Sequence, residues 1–233
     1  MSAVVPAYNE AAVIADVVQR SAHALLSLGI PDPQVIVVDD GSTDATAGLA
    51  AGVSSTGVSV EVLSHRANRG YGAALRTGFG SATGDAIWLL DGDGQFDPAD
   101  LAALLRNYSA DSVVAGFRIR RNDPAIRRFN QAAFFTLVRL LFGPTVRDVN
   151  CGFKLFPRAV AVGLEMDGAL ISTQLVLRAR RAGYRMVDVG VPHYPRRTGH
   201  ATGATPRVVV RAFAELGRMV RHRSLLNGLP PPP

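Results

Sequence analysis

The sequence predicts an α/β protein with a mostly parallel sheet and helices on both faces. Short apolar runs alternate with helical patterns through the first half of the chain, which implies right-handed crossovers between parallel strands. Three of these runs end in polar clusters, at the place where such sheets bind ligands. The 233 residues, 48% of them hydrophobic and 19% charged, suffice to bury a sizeable core.

Five apolar runs in the first half are typical of strands: SAVVPA, QVIVVDD, VEVLSH, AIWLL and DSVVAGF. After the first run, Asn9 is expected to cap a helix that stops at Gly29. The segment GSTDATAGLAAG predicts a turn and a short helix, and GYGAALRTGFGSATG predicts a helix ending near Gly84. Asp97 is expected to cap a further helix opened by Pro98.

The second half has a different character. A long apolar, Arg-flanked segment runs from Ile126 to Phe142 and is followed by CGFKLF. Next come a helix at STQLVLRARRAG, a strand at YRMVDVGVPHY and a basic helix from Pro206 to about Arg223. The GLPPPP ending cannot continue a helix, so we expect a loose tail there.

Composition limits the cellular compartment and the binding partners that we expect for this chain. A single cysteine, Cys151, excludes an internal disulfide, and the opening residues lack the pattern of a signal peptide, so none is expected. The longest apolar run, interrupted by Arg139, is well short of the roughly 20 residues that a membrane-spanning helix needs. The net charge is +6, and the basic residues other than Lys154 are arginines concentrated in the second half. Their fork-shaped guanidinium groups favour phosphate or an anionic membrane surface as partner. Nucleic acid is not expected, because no recognition motif or aromatic interleaving accompanies them.

Polar clusters follow three of the predicted strands: Tyr8-Asn9-Glu10, Asp39-Asp40 and Asp91-Gly92-Asp93-Gly94-Gln95. Turn chemistry alone explains any one of them, since Asp, Asn and Gly dominate turns. Three clusters at the carboxyl ends of parallel strands instead indicate one ligand site.

Spacing tests the alternatives for the acidic pair. A calcium loop starting at Asp91 would need other residues at Gln95, Phe96 and Ala102. A phosphatase-type Asp-x-Asp-x-Thr site is weak because Gln95 replaces the hydroxyl residue, and PAYNEA replaces the glycine pattern of a dinucleotide fold. Asp-x-Asp does suit a hard divalent cation shared with the phosphates of a nucleotide.

The chain resembles family 2 glycosyltransferases, and most closely their dolichyl- (polyprenyl-) phosphate mannosyltransferase-like branch. Five segments carry the resemblance in the family's order and spacing: VVPAYNE, VIVVDDGSTDAT, NRGYGAALRTGF, DGDGQFDP and DVNCGFKLF. The resemblance spans essentially the whole chain. It implies a GT-A (Rossmann-like) fold, a nucleotide-sugar donor, Mg²⁺ or Mn²⁺, and inversion at the anomeric carbon. The catalytic domain is then expected in residues 1–205, with a basic amphipathic helix and tail in 206–233.

The resemblance also implies the site residues, position by position. The nucleoside pocket would be lined by Pro6, Tyr8, Glu10, Val38 and Asp40, with Asp40 the best candidate to contact the base or ribose. Catalysis is assigned to Asp91, Asp93, Arg118 and Arg196, with Gly92 and Gln95 completing the metal and diphosphate site and Gly199 in the arginine-bearing loop. Asp148, Lys154 and Gln174 would lie near the acceptor, although Asp148, Lys154 and Asp39 are also typical of ion pairs or caps.

Two positions depart from the family pattern. Ala201, followed by Thr202, stands where the family loop usually has serine, and Gln174 stands where many relatives have glutamate. A sugar hydroxyl acceptor commonly needs a carboxylate base, whereas a lipid phosphate is already anionic and needs none. Gln174 is therefore compatible with a phosphate acceptor. Glu165 and Asp167 remain candidate bases, which keeps a hydroxyl acceptor open.

We therefore expect a metal-dependent inverting enzyme that moves a sugar from a GDP- or UDP-linked donor to a polyprenyl phosphate. The alternatives are a hydroxyl acceptor, or a non-catalytic nucleotide-sugar-binding subunit. The two basic apolar segments, 126–142 and 206–223, are expected to lie in the lipid interface on the cytoplasmic face, unless their apolar stripes pack on the catalytic domain. A separate membrane-anchoring protein is a further candidate partner.

Overall fold

Strands and helices alternate along most of the chain. The computed structural model describes residues 1–119, 125–143, 145–196 and 206–233. The strands are β1 (Ser2–Ala7), β2 (Gln34–Asp39), β3 (Ser59–Ser64), β4 (Ala86–Leu90), β5 (Ser112–Arg118), β6 (Phe153–Pro157) and β7 (Arg185–Val191). The α-helices are α1 (Ile14–Ser27), α2 (Thr46–Ala51), α3 (Tyr71–Ser81), α4 (Leu101–Leu105), α5 (Ala125–Phe142), α6 (Ile171–Arg181) and α7 (Pro206–Arg221). Short 3₁₀ turns lie at Pro98–Asp100, Arg158–Ala161 and Arg223–Leu226.

The strands form one sheet in the order β3-β2-β1-β4-β6-β5-β7. Strand β6 is antiparallel to β4 and β5, and the other neighbours are parallel, so the prediction of a mostly parallel sheet is confirmed. Because β6 runs in reverse, its first residue, Phe153, pairs with Leu90 at the carboxyl end of β4. The segment before Phe153 therefore lies at the ligand-binding edge of the sheet.

Helices cover both faces of the sheet and form an α/β/α sandwich. Alternate strand residues point to opposite faces, so Val4 and Ile36 pack with α3, α5, α6 and α7, whereas Val5 and Val35 pack with α1, α2 and α4. The C-terminal helix α7 joins the first of these clusters through Leu216, which is buried. Among the described residues, no helix is both long enough and apolar enough to span a bilayer.

The predicted cap at Asn9 is wrong. Helix α1 begins at Ile14 because the carbonyl of Glu10 accepts the first turn's amides from Val13 and Ile14. Asn9 has a left-handed backbone (φ 56°), and its side-chain oxygen accepts the amide of Thr43 at 2.8 Å. It therefore ties the end of β1 to the turn after β2.

The predicted cap at Asp97 is confirmed. Its carboxylate accepts the amide of Ala99 at 2.9 Å, ahead of the turn opened by Pro98. Asp97 therefore has a structural role and is separate from the acidic pair Asp91 and Asp93.

Candidate active site

Asp91 occupies a cradle at the junction of β4 and β6. Its amide donates to the carbonyl of Gly152 at 2.9 Å, and its carboxylate accepts the hydroxyl of Tyr71 at 2.9 Å. A Cβ placed on Gly152 would lie 1.9 Å from Asp91 Oδ2, so only glycine leaves room for this carboxylate. The reversed strand β6 thus shapes the cavity that holds the first aspartate.

The surroundings of Asp91 disfavour the charged form of its carboxyl group. Burial and the neighbouring carboxylate of Asp93 raise the pKa of Asp91 to about 6, against the lowering effects of Tyr71, Lys154 and Arg118. Burial, with Asp91 as the next cause, holds the pKa of Tyr71 well above its usual range, so this hydroxyl stays a donor. Two carboxylates this close make a site that a cation would stabilise.

Arg196 bridges Asp93 and Glu10. One guanidinium nitrogen lies 2.9 Å from Asp93 Oδ2 and another 2.6 Å from Glu10 Oε1. Burial lowers the pKa of Arg196, but the two carboxylates outweigh that effect and raise it. Burial also raises the pKa of Glu10, although Arg196 opposes the shift. The polar clusters that follow β1 and β4 therefore meet the predicted arginine loop at Arg196.

Gln95 faces the segment that carries Arg196. Its side-chain nitrogen donates to the carbonyl of Tyr194 at 2.9 Å, and its backbone carbonyl accepts the Tyr194 amide at 2.9 Å. The amide of Gln95 also donates to Asp93 Oδ1 at 3.1 Å. These contacts anchor the loop after β4 to the chain just before Arg196.

Asp40 lies at the edge of the site but faces inward. Its buried carboxylate accepts the amides of Arg69 and Gly70, at 3.0 and 2.8 Å, and lies 2.6 Å from Nδ1 of His65. These bonds fix the start of α3, where Tyr71 reaches Asp91. In this structure Asp40 therefore positions the start of α3. Its assignment to the base or ribose stays a prediction.

Arg118 is positioned by Asp148. Its Nε and one terminal nitrogen contact the two carboxylate oxygens at 2.8 and 3.0 Å, in the two-pronged geometry that favours arginine. Asp148 is therefore ion-paired, as the alternative interpretation of that residue expected. The pair holds a guanidinium near enough to Asp91 to influence its pKa.

Lys154 is completely buried within β6. Its ammonium donates to the carbonyl of Cys151, and burial lowers its pKa. The positive charge of Lys154 opposes the rise in the pKa of Asp91. A cation beside a buried carboxylate favours the charged form of that carboxylate.

The acceptor-side prediction for Gln174 is wrong in this structure. Its side chain is fully buried, and its oxygen accepts the amides of Glu165 and Met166 at 2.9 and 3.2 Å. Its nitrogen donates to the carbonyl of Leu225 at 3.0 Å. Gln174 therefore fastens the C-terminal turn to the 165–166 loop.

The two alternative bases are held by arginines. Asp167 lies 2.5 Å from Arg76 and 3.7 Å from Arg211, and Glu165 lies 3.0 Å from Arg218. Both carboxylates are thus paired with guanidinium groups at the protein surface, with side chains 43% and 49% exposed.

The remaining predicted residues lie at different depths. Val38 is fully buried in the core, so its side chain is not available to line a nucleoside pocket. The carbonyl of Pro6 accepts the amide of Gly92 at 3.1 Å, which joins the ends of β1 and β4, and Tyr8 follows β1 partly exposed. Gly199 lies outside the described residues, as do Ala201 and Thr202.

Sequence reasoning missed three positioning residues: His65, Tyr71 and Gly152. His65 follows the carboxyl end of β3, so the strand-end rule that selected the other clusters applied to it as well. Tyr71 and Gly152 stand inside two of the family-like segments, but nothing local indicates that both surround Asp91.

The donor set fits a hard divalent cation. Asp91 and Asp93 present carboxylate oxygens at one edge, and burial together with their repulsion raises the pKa of Asp91. Within the described residues no group of three His, Cys, Asp or Glu side chains is placed to hold a metal. A cation here would thus have two protein carboxylates, with Gln95 as the neighbouring oxygen donor.

The chain belongs to glycosyl transferase family 2, whose sequence profile matches residues 2–162. It is 32% identical over 214 residues to the dolichyl-phosphate beta-glucosyltransferase of Drosophila melanogaster, covering 82% of this chain and 66% of that protein. It is 28% identical to the undecaprenyl-phosphate 4-deoxy-4-formamido-L-arabinose transferase of Pectobacterium carotovorum, covering 85% of this chain and 61% of the relative. The chain thus spans somewhat less than two-thirds of the length of these relatives.

Solved structures confirm the GT-A fold. The mannosyl-3-phosphoglycerate synthase of Rubrobacter xylanophilus superposes with a TM-score of 0.74 at 19% identity, over 96% of this chain and 74% of that chain. The glucosyl-3-phosphoglycerate synthase of Mycobacterium tuberculosis, crystallised with Mg²⁺ and uridine diphosphate, gives 0.65 at 23% identity, over 97% and 77%. The chain therefore contains a family 2 domain with the GT-A fold.

Proposed function

We propose that this glycosyltransferase moves a sugar from a nucleotide-diphosphate sugar to a polyprenyl phosphate, with inversion. The observation that carries the proposal is the Asp91–Asp93 pair, cradled by Gly152 and flanked by Arg118 and Arg196. Anionic oxygen donors beside two guanidinium groups suit a cation and a diphosphate together. The names of the relatives, which act on dolichyl and undecaprenyl phosphates, support a lipid phosphate as acceptor.

The neighbouring carboxylates support an acceptor that needs no base. Among the described residues at this edge, Glu10 and Asp93 contact Arg196, Asp148 contacts Arg118, and Asp91 accepts Tyr71. A hydroxyl acceptor would need one of these groups, or Glu165 or Asp167, to take its proton. A lipid phosphate brings its own anionic oxygen.

In the proposed reaction, the lipid phosphate oxygen attacks the anomeric carbon from the face opposite the nucleotide. The bond from that carbon to the donor's phosphate oxygen breaks, and the nucleoside diphosphate leaves with the electron pair. Asp91 and Asp93 would hold Mg²⁺ or Mn²⁺, which supplies Lewis-acid stabilisation of the leaving diphosphate. Metal use is supported by the Mg²⁺ and Mn²⁺ complexes of the fold neighbours.

Arg196 has a second task in this proposal. Its guanidinium now neutralises Asp93 and Glu10, so it must release Asp93 when a cation binds there. The released donors then suit the phosphate oxygens of the nucleotide. Arg118, held by Asp148, supplies a second charge whose orientation is already set.

Transfer of radiolabelled sugar to extracted polyprenyl phosphate tests this function, with a panel of GDP- and UDP-linked donors. We expect label in the lipid phase with wild-type protein and Mn²⁺, and a loss of at least about 1,000-fold in Asp93→Ala. Asp97→Asn removes a carboxylate from the same loop but keeps its capping oxygen, so it should retain activity. Label in water-soluble product would favour a hydroxyl acceptor. Substantial lipid labelling by Asp93→Ala would overturn the mechanism.

A further inference from the structure

Helices α5 and α7 present a shared apolar surface to solvent. We define this outer face by Leu137 and Leu140 of α5 and Val210 and Phe213 of α7, whose residues are 36%, 80%, 69% and 53% exposed. The ring of Phe134 on α5 packs edge-on against Phe213, with centroids 5.7 Å apart. The two helices therefore join their exposed apolar side chains into one patch.

Among the described residues, the exposed charged side chains of α5 and α7 are arginines. Helix α5 contains no acidic residue. The only acidic residue of α7 is Glu215, whose carboxylate points inward and accepts the amide of Gly168 at 2.6 Å. Arg139 and Arg221 lie exposed on the same two helices, and the half-exposed Arg218 is paired with Glu165 at 3.0 Å. Apolar side chains on helices that also carry exposed arginines match an anionic lipid surface, where the apolar groups enter the acyl boundary and the guanidinium groups meet the phosphates.

The inner side of α7 is bonded to loops that build the candidate active site. Arg211 donates to the carbonyl of Arg69 at 3.1 Å, and Glu215 holds Gly168. The next residue, Gly70, donates to Asp40, and Tyr71 donates to Asp91. The carbonyl of Asp167 accepts the amide of Gly72 at 2.8 Å, which ties the second loop to the start of α3. A few hydrogen bonds thus connect α7 with the metal-binding carboxylates.

We propose that the outer face docks on an anionic bilayer, and that docking steadies α7 against the 69–70 and 165–168 loops, so that membrane contact strengthens nucleotide binding. The coupling to nucleotide binding rests on the proposed function, whereas the docking does not. The bilayer is the partner that the exposed arginines Arg139 and Arg221 favour. A second copy of this chain would bring the same arginines together, and like charges repel.

Vesicle flotation tests the docking. Vesicles of phosphatidylglycerol and phosphatidylcholine, free of polyprenyl phosphate, should carry wild-type protein upward, and vesicles of phosphatidylcholine alone should not. The double variant Val210→Ser/Phe213→Ser should bind the anionic vesicles at least about 10-fold more weakly. Leu49→Ser is the matched control, since Leu49 is 43% exposed on α2, on the opposite layer. Equal binding by the double variant would overturn the docking. A concentration-dependent dimer lost in that variant would overturn the bilayer as partner.

Equilibrium dialysis with uridine or guanosine diphosphate and Mn²⁺ tests the coupling. Anionic vesicles should raise wild-type nucleotide affinity about 5-fold. The variant Glu215→Gln should still float with vesicles but lose most of this increase, because its bond to Gly168 is weaker. Unchanged affinity in wild-type protein would overturn the coupling.

Transfer to a short, water-soluble prenyl phosphate separates the two proposals. The double variant Val210→Ser/Phe213→Ser should match wild type in this assay, since the acceptor needs no membrane. If wild-type protein floats but transfers nothing to either acceptor, the proposed function fails and the docking stands. If the double variant also loses transfer activity with the soluble acceptor, the outer face has a structural role and the docking interpretation fails.

Discussion

The two parts of the ligand-binding edge are built in opposite ways. On the β1–β4 side, Glu10, Asp40 and Asp91 follow parallel strands directly, so neighbours in the sheet carry neighbours in the site. On the β6 side, Gly152 precedes a reversed strand and Lys154 lies in it, and they act on Asp91 by shape and by charge. A strand-end rule therefore finds the carboxylates on the β1–β4 side, but it does not find Gly152, which makes room for Asp91.

The largest expected effect comes from filling the cradle on the β6 side. In Gly152→Ala the new methyl group would overlap the Asp91 carboxylate, so the aspartate must leave its position. We expect transfer activity and Mn²⁺ affinity to fall about 100-fold while the fold is retained, because small displacements of reacting groups are costly. Activity assays and Mn²⁺ titration by electron paramagnetic resonance would measure both effects.

A matched glycine variant provides the control for this comparison. A Cβ on Gly80, in α3, would meet nothing within 4 Å, so Gly80→Ala should bind Mn²⁺ as wild type does. If Gly152→Ala kept wild-type Mn²⁺ affinity, the β6 side would have no part in holding Asp91.

A smaller effect is expected from the buried amide of α6. Gln174→Leu would leave the amides of Glu165 and Met166 and the carbonyl of Leu225 without this partner. We expect a loss of about 3 kcal/mol in the free energy of unfolding, since unsatisfied buried groups retain their desolvation cost. Urea unfolding would measure it, and exposed Asn107→Ala should change stability little. A Gln174→Leu protein as stable as wild type, yet inactive, would return Gln174 to the acceptor side.

The smallest effect concerns the buried thiol before Gly152. Burial raises the pKa of Cys151 from 9.0 to about 12, so the folded state keeps a proton that the unfolded chain loses. This contribution to stability is fully present below pH 9 and is lost as the pH rises toward 12. Relative to Cys151→Ala, wild type should lose on the order of 1 kcal/mol of unfolding free energy between pH 8 and pH 10. A difference independent of pH would show that the thiol meets solvent.

Sequence reasoning succeeded where the information is local. The alternating strands, the cap at Asp97 and the acidic pair after β4 each depend on residues close together in the chain. The Asn9 cap was wrong because its side chain found a partner in Thr43, on another loop. Gln174 was misplaced because a motif position does not reveal whether a side chain points outward or into the core.

The sequence by itself determined the α/β class, the three polar strand ends and membership of the glycosyltransferase family, since hydrophobic period and motif order are written along the chain. Only the tertiary structure decided that β6 runs in reverse, that Gly152 makes room for Asp91, and that Arg196 joins Glu10 to Asp93. These features depend on contacts between residues far apart in sequence, and the packing of the whole sheet chooses among them.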